Sequence, residues 1–378
     1  MGSAVSVFSP KQKWPVTLIG HEGSVNAMCI STDGSLVGTA SEDSTARVWE
    51  SVTFSLESQM TGHTQYTSCI DMNENVIVTG SADKLIKKWD VFSGCCLATF
   101  IGHESVITQV LIHGNHLFSA ALDKTARHWD LKTCQCLHIY RGHTRSISCL
   151  LFINLMTQDR RPERRKSRSK IERKLSTTTR FSSAQHKALL ITGSADNTAR
   201  AWTLQSDTSV VVYKGHGSAV LCMAASEPDR ELFTGSSDGT ARSWNVETGQ
   251  PLRVFEGHQA PVTCMQLSGS LLFTGSADCM ARCWQVEFAE CLRVYRGHQS
   301  TVNCVIAQDD VVFASSRDGS VRAWDIKTGI CRKLFKGHSY PINCMQVHGD
   351  RLYSGSYDKT VKVWDISFLH NSLPGTAV

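Results

Sequence analysis

Residues 102–130 read GHESVITQVLIHGNHLFSAALDKTARHWD, and this stretch decides the fold. Val106–His113 is β-prone, and Gly114-Asn115 ends it with a turn signal. His116–Ala120 is a second run, closed by Leu122-Asp123-Lys124. Thr125–Trp129 is a third. Cys136–Tyr140 is a fourth, and Gly142-His143 follows it. Four short strands with polar turns between them make one antiparallel, all-β unit. A single such sheet would leave its edges and one apolar face open.

The unit recurs. Gly-His occurs eight times, each followed by an Asp and a Trp six residues apart: Asp43/Trp49, Asp83/Trp89, Asp123/Trp129, Asp196/Trp202, Asp238/Trp244, Asp278/Trp284, Asp318/Trp324 and Asp358/Trp364. From each Trp but the last, the next His is fourteen residues on. A period near 40 residues denotes a repeat architecture, in which neighbouring units bury what one unit cannot.

These signals resemble the WD40 β-propeller family over almost the whole chain. The resemblance implies an eight-bladed propeller of four-stranded antiparallel blades across residues 14–366. It also implies a buried hydrogen-bonded tetrad in each blade. The first is His21, Thr39, Asp43 and Trp49, the second His63, Thr79, Asp83 and Trp89, the third His103, Ser119, Asp123 and Trp129. The fourth is His143, Thr192, Asp196 and Trp202, the fifth His216, Thr234, Asp238 and Trp244, the sixth His258, Thr274, Asp278 and Trp284. The seventh keeps His298, Asp318 and Trp324 but has Ala314 at the hydroxyl position. The eighth is His338, Ser354, Asp358 and Trp364. Buried polar networks stabilise only when satisfied, so blade 7 is expected to be the loosest unless Ser315 or a water substitutes. No Gly-His follows Trp364, and Trp14–Ile19 is expected to complete blade 8. Leu18 then takes the place held elsewhere by Phe100, Tyr140, Phe255 and Phe335. Residues 1–13 and 367–378 are expected to be flexible ends.

The hydrophobic content of 41% is ordinary for a globular protein. No apolar run approaches the roughly 18 residues that span a bilayer, and the first twenty residues lack a secretory apolar segment. Of fifteen cysteines, Cys69, Cys149, Cys222, Cys264, Cys304 and Cys344 lie six residues after the repeat His. Cys96, Cys136, Cys291 and Cys331 lie seven residues before the next one. Both sets are expected to fill small buried slots. No CxxC pair has metal-ligand spacing, and Cys95-Cys96 and Cys134-x-Cys136 read as packing residues. A reducing cytoplasm is the expected setting, with the nucleus as alternative.

One segment breaks the repeat. Asn154–Lys187 carries eleven basic and three acidic residues, a net of +8, while the whole chain is +5. All of the basic excess therefore sits in one loop. Its composition reads as disordered, between the first and second strands of blade 4. In the WD40 family that turn emerges opposite the Gly-His loops. Three readings compete: a solvated insertion, a nuclear-targeting or nucleic-acid patch, and an anionic-membrane contact. The polyanion-binding candidates are Arg160, Arg161, Arg164, Arg165, Lys166, Arg168, Lys170, Arg173 and Lys174. Phe181 is the only aromatic there, which weakens single-strand stacking. Met1-Gly2-Ser3-Ala4-Val5-Ser6 fits the N-myristoylation pattern at Gly2. One acyl chain binds membranes marginally, and a polybasic patch is the kind of second signal that secures it. Ser167 and Ser176 follow basic residues in the manner of kinase sites, and two phosphates would cancel about half of the +8.

No nucleophile–base–orienter set, phosphate loop or metal cluster emerges, so an enzyme is not expected and no cofactor is implied. Eight of the fifteen histidines are repeat histidines, and the remainder are scattered in sequence. The family resemblance implies a protein-interaction scaffold engaging partners at the third residue after the Gly-His histidine and at the residue before the turn Asp. Most of those positions are small here. Tyr66, Leu122, Arg317 and Tyr357 are exceptions, with Arg145 and Tyr340 beside them, and Tyr and Arg dominate interface hot spots. The expected partners are other proteins, then anionic lipids, with nucleic acid ranking lower, a small-molecule substrate unexpected and the ring monomeric. A phosphopeptide-reading, ubiquitin-ligase adaptor is the alternative, because some eight-bladed adaptors place Arg where Arg317 stands. Phosphate capture usually needs clustered cations, and this face offers one such Arg.

Overall fold

The computed structural model describes residues 13–73, 75–155 and 188–370. In blade 3, Ile107–His113, His116–Ala121, Ala126–Asp130 and Cys136–Tyr140 pair antiparallel in chain order. Seven blades repeat this order from the inner strand outward. Second strands are buried almost end to end, as in Leu36–Ser41, Glu231–Ser236 and Val311–Ser316. They lie inside their own sheet with a neighbouring sheet on each face, so both sets of alternating side chains are covered. That geometry selects continuous apolar and small residues over alternation.

Outer strands expose their first residues and bury the last, as Cys96–Phe100 and Cys136–Tyr140 do. The buried terminal residue packs on the Trp of the next blade. Phe100 meets Trp129 at 5.6 Å between ring centroids, Tyr140 meets Trp202 at 5.4 Å and Phe335 meets Trp364 at 5.4 Å. Such aromatic pairs add about 0.5–1.5 kcal/mol beyond the area they bury.

The ring closes through Val16–Leu18, which pairs with Val361–Asp365 and completes the eighth sheet. Leu18 packs in one cluster with Trp49 and Val361. Inner strands of successive blades touch around the ring, including Val25–Ile30 against Ile342–His348. Ser367–His370 forms a helical turn, with Leu369 buried, where the sequence reading places a tail.

The register fixes which end of the ring each feature occupies. Ile147 pairs with Ser194 beside the Gly-His loops, and Asn154 pairs with Ala188 at the opposite end. Leu18 pairs with Val361 near the Gly-His end, so Trp14 enters from the opposite end too. Blades 8 and 4 are half a ring apart, so the two entry points share a face and lie across it. Residues 1–12 and 156–187 are outside the described residues. With them lie Gly2, Ser167, Ser176 and the basic side chains Arg160 to Lys174.

The cysteines divide. On inner strands, Cys29, Cys69, Cys149, Cys222, Cys264 and Cys344 each face a glycine on the second strand. A Cβ on those glycines would meet the sulfur at 2.5–2.8 Å, so Gly and Cys fit as a pair. Burial raises the Cys69 and Cys149 thiols to about 12, with no disulfide among the described cysteines. The outer-strand set corrects the sequence reading: Cys96, Cys136 and Cys331 are exposed and Cys291 half-buried. Their period is that of the repeat, but they start the strand that no further strand covers.

Candidate interaction surface

The Gly-His face is held by the tetrads. In all eight blades the His Nδ1 lies 2.7–2.8 Å from the turn Asp Oδ2. In seven, the Ser or Thr oxygen accepts the Trp indole N–H at 2.8–3.1 Å. The same oxygen lies 2.8–2.9 Å from His Nε2. The Asp also accepts the N–H of the residue after His, from Glu22 to Ser339. Burial raises the Asp238 carboxyl, but hydrogen bonds from Thr240 and His216 outweigh it and hold the group at about 2. Each tetrad thus pins a Gly-His loop to a turn by charge-assisted bonds.

Blade 7 departs as its sequence does. His298 Nε2 turns to the Ala314 carbonyl at 3.1 Å. Ser315 does not stand in: its hydroxyl is buried and makes no bond to His298 or Trp324. Adjacent strand residues point to opposite faces, and Ser315 sits opposite Cys304 instead.

Two further regularities were not read from the sequence. The residue two before each Trp is Arg or Lys, and in the six blades that have Arg its guanidinium lies under the Gly of the Gly-His loop. A Cβ on Gly20 would stand 2.1 Å from the Arg47 guanidinium, and Arg127 donates to the Gly102 carbonyl at 2.7 Å. In those six blades a side chain at the Gly would crowd that cation. The residue five after each repeat His sews neighbouring blades together. Asn26 donates to Thr67 O at 3.0 Å, Thr108 to Ile147 O at 2.9 Å, Asn303 to Ile342 O at 2.7 Å and Asn343 to Val25 O at 3.0 Å. Ser68, Ser148 and Thr263 do the same, while blade 5 has Leu221 there.

The rim above the tetrads is continuous. The N–H of the residue before each turn Asp donates to the carbonyl three residues after the repeat His, as Leu122 to Val106 and Tyr357 to Pro341, both at 2.9 Å. The two candidate positions of each blade are therefore one site. Tyr66, Leu122, Arg145, Arg317, Tyr340 and Tyr357 are all exposed. Tyr340 and Tyr357 meet at 6.1 Å between rings, both more than half exposed. Arg317 is on the adjoining blade 7, in the turn whose Gly319 lies against the Tyr340 carbonyl. Among the described residues no ring contact or hydrogen bond joins Tyr66, Leu122 or Arg145 to that pair.

Among the described residues no three His, Cys, Asp or Glu side chains converge on a metal position. No helix among them is long and apolar enough to cross a membrane. Clefts on the described surface include one of about 610 Å³ beside Asn73, Lys88 and Asn115, one of about 500 Å³ between Trp14, Lys333, Trp364 and Phe368, and one of about 330 Å³ beside Glu231 and Arg253.

The family model for the WD domain, G-beta repeat, matches residues 12–50, 54–90, 94–130, 207–245, 249–285, 289–325 and 329–365. The unmatched stretch between 130 and 207 holds the repeat that the insertion interrupts. Among solved structures, the computationally designed Ika8 protein is similar, with a TM-score of 0.78 at 27% identity over 93% of this chain and 98% of that one. No curated protein matches the chain in sequence.

Proposed function

Because the chain belongs to the WD40 family, whose propellers generally act as protein-interaction scaffolds, we propose that it is a non-catalytic scaffold engaging protein partners through the Gly-His face. One observation carries this: the exposed Tyr340–Tyr357 pair, with Arg317 on the adjoining blade, on a rim lined mostly by small residues. Tyrosine supplies large contact area at low entropic cost, and Arg adds planar, multidentate bonding. Arg145, Tyr66 and Leu122 extend the contact around the rim. The Met-Gly start and Asn343–Gly349 also resemble WD repeat-containing protein 86, a likeness that brings no activity.

A second reading concerns the other face. The chain's N-terminal entry and the insertion's two ends share it, on opposite sides of the ring. An acylated Gly2 and the basic Asn154–Lys187 segment would hold that face flat against an anionic membrane and leave the Gly-His face to partners. A flexible chain of that length would have an r.m.s. span of about 30 Å, enough to reach headgroups. The setting is then cytoplasmic at a membrane, with nuclear retention by the same basic segment as the alternative.

The test is quantitative affinity purification from cells with three baits: wild type, a deletion of 154–187, and Tyr66→Ala/Arg317→Glu/Tyr357→Ala. Partners lost with the triple variant alone support the scaffold reading. Partners or lipids lost only with the deletion assign function to the insertion. A list unchanged by both sinks both assignments, and loss confined to phosphorylated partners favours the phosphopeptide alternative.

A further inference from the structure

Histidines that look scattered in the sequence converge in blade 3, one on each strand. His113, His116, His128 and His138 occupy the first to fourth strands, with His113 opposite His116 and His128 opposite His138. His116 Nδ1 lies 2.8 Å from His128 Nε2, and His138 stacks on His128 at 5.9 Å between rings. Phe118 stacks on His128 at 4.8 Å, and Phe152 of blade 4 lies on Phe118 at 5.3 Å and on His113 at 4.4 Å. The ladder therefore faces the seam with blade 4. At the rim, Asp207 of blade 4 accepts from His138 Nδ1 at 2.7 Å.

No other blade is built this way. The residue before Trp is Val48, Ala201, Ser243, Cys283, Ala323 or Val363, and in blade 2 Lys88, whose ammonium donates to Leu131 O at 3.0 Å. His128 is 1% exposed, and its Nδ1 has no partner. The Tyr140 hydroxyl, on the same seam, is likewise buried and unpartnered. A His–His bond needs one N–H and one lone pair. It tolerates a single added proton and is lost when both rings are cations.

We propose that the seam between blades 3 and 4 is an acid-responsive joint of the ring, opened by protonation of the His116–His128–His138 ladder. The groups acting on His128 are His116 and His138, which oppose its charge, and Asp130, which favours it. From blade 4, Phe152, Leu190, Trp202 and Leu204 line the seam, and Asp207 answers His138 rather than His128. Burial, then the charges of His116 and His138, lowers His128 to about 4, against the pull of Asp130. A histidine lowered by folding is neutral in the closed seam and charged once released. The closed state is thus fully favoured above about pH 6.5 and loses ground as pH falls toward 4. Opening would release Ile147–Asn154, which carries Phe152 mid-strand, follows Arg145 at the Gly-His end and leads to the insertion at the other. One joint thereby reaches both candidate surfaces.

Hydrogen–deuterium exchange of the full chain tests this at pH 7.5 and 5.5, with exchange times rescaled for intrinsic rates. Peptides across 107–154 and 188–204 should lose about tenfold or more protection at pH 5.5, relative to equivalent peptides of blades 5 to 7. His128→Gln should remove that difference and leave pH 7.5 protection near wild type. His116→Gln serves as the second variant should the first unfold. Equal loss at every seam, no loss, or a seam-specific loss that persists in the folded variants overturns the joint.

Discussion

Removing one hydroxyl from a tetrad strands two buried polar groups at once. Thr274 Oγ1 takes the Trp284 indole N–H at 2.8 Å and lies 2.8 Å from His258 Nε2. Thr274→Ala should therefore cost about 1–3 kcal/mol, read as a lower urea midpoint. Blade 7 offers the converse: Ala314→Thr should gain about 1 kcal/mol by giving Trp324 and His298 the missing oxygen. An unchanged or lowered midpoint would mean that blade 7 is already repacked around Ala314. Asp71 is a residue whose pH effect opposes that of His128. Burial lifts its carboxyl to about 6, although the Ile112 and Met72 N–H groups donate to it. Its folded value is raised, so its contribution is present below about pH 4 and lost as pH rises through 6. Asp71→Asn should abolish that component, checked by chemical unfolding at pH 4.5 and 7.

At the scale of the strand and sheet, the stitches between inner strands join one blade to the next. Asn343 closes the ring, donating to Val25 O at 3.0 Å and to Ser24 Oγ at 2.9 Å. Asn343→Ala should cost about 1–2 kcal/mol and speed proteolysis near residue 14, because the last blade then holds the first less firmly. Leu221 is the position without a polar stitch, so Leu221→Thr should stabilise the seam between blades 5 and 6 by about 1 kcal/mol. An unchanged midpoint would show that the Leu221 packing already compensates. Strand order and the turns around Gly114 and Asp123 were legible because each turn carries its own chemistry. The stitches were not, because Asn, Ser and Thr at one position read as ordinary solvent-facing side chains until the next blade's carbonyl is beside them.

For the whole molecule, acid should destabilise in two stages. His63, His103, His143 and His216 are lowered by burial despite their Asp partners, so each favours the unfolded chain as pH falls below about 6.5. The tetrad carboxylates are depressed, as at Asp238, so their contribution is present above about pH 4 and lost below it. A stability profile that is flat between pH 7 and 3 would contradict this reading. The ring also separates two faces. The Gly-His face is rigidly pinned blade by blade, and the opposite face receives the insertion and the N-terminal entry.

What the sequence by itself determined is the repeated part of this protein. Gly-His, Asp and Trp recur because each blade solves the same local hydrogen-bond problem, and a periodic solution leaves a periodic trace. Blade number, strand order and the closing strand around Leu18 follow from that trace. What only the tertiary structure decided is the pairing of residues that are distant in sequence and belong to no period. Cys96 and Cys136 recur with the repeat yet lie exposed, because burial depends on whether a fifth strand covers them. His116, His128, His138 and Asp207 span three strands of one blade and a connection of the next, and they become one cluster only when the sheets stack.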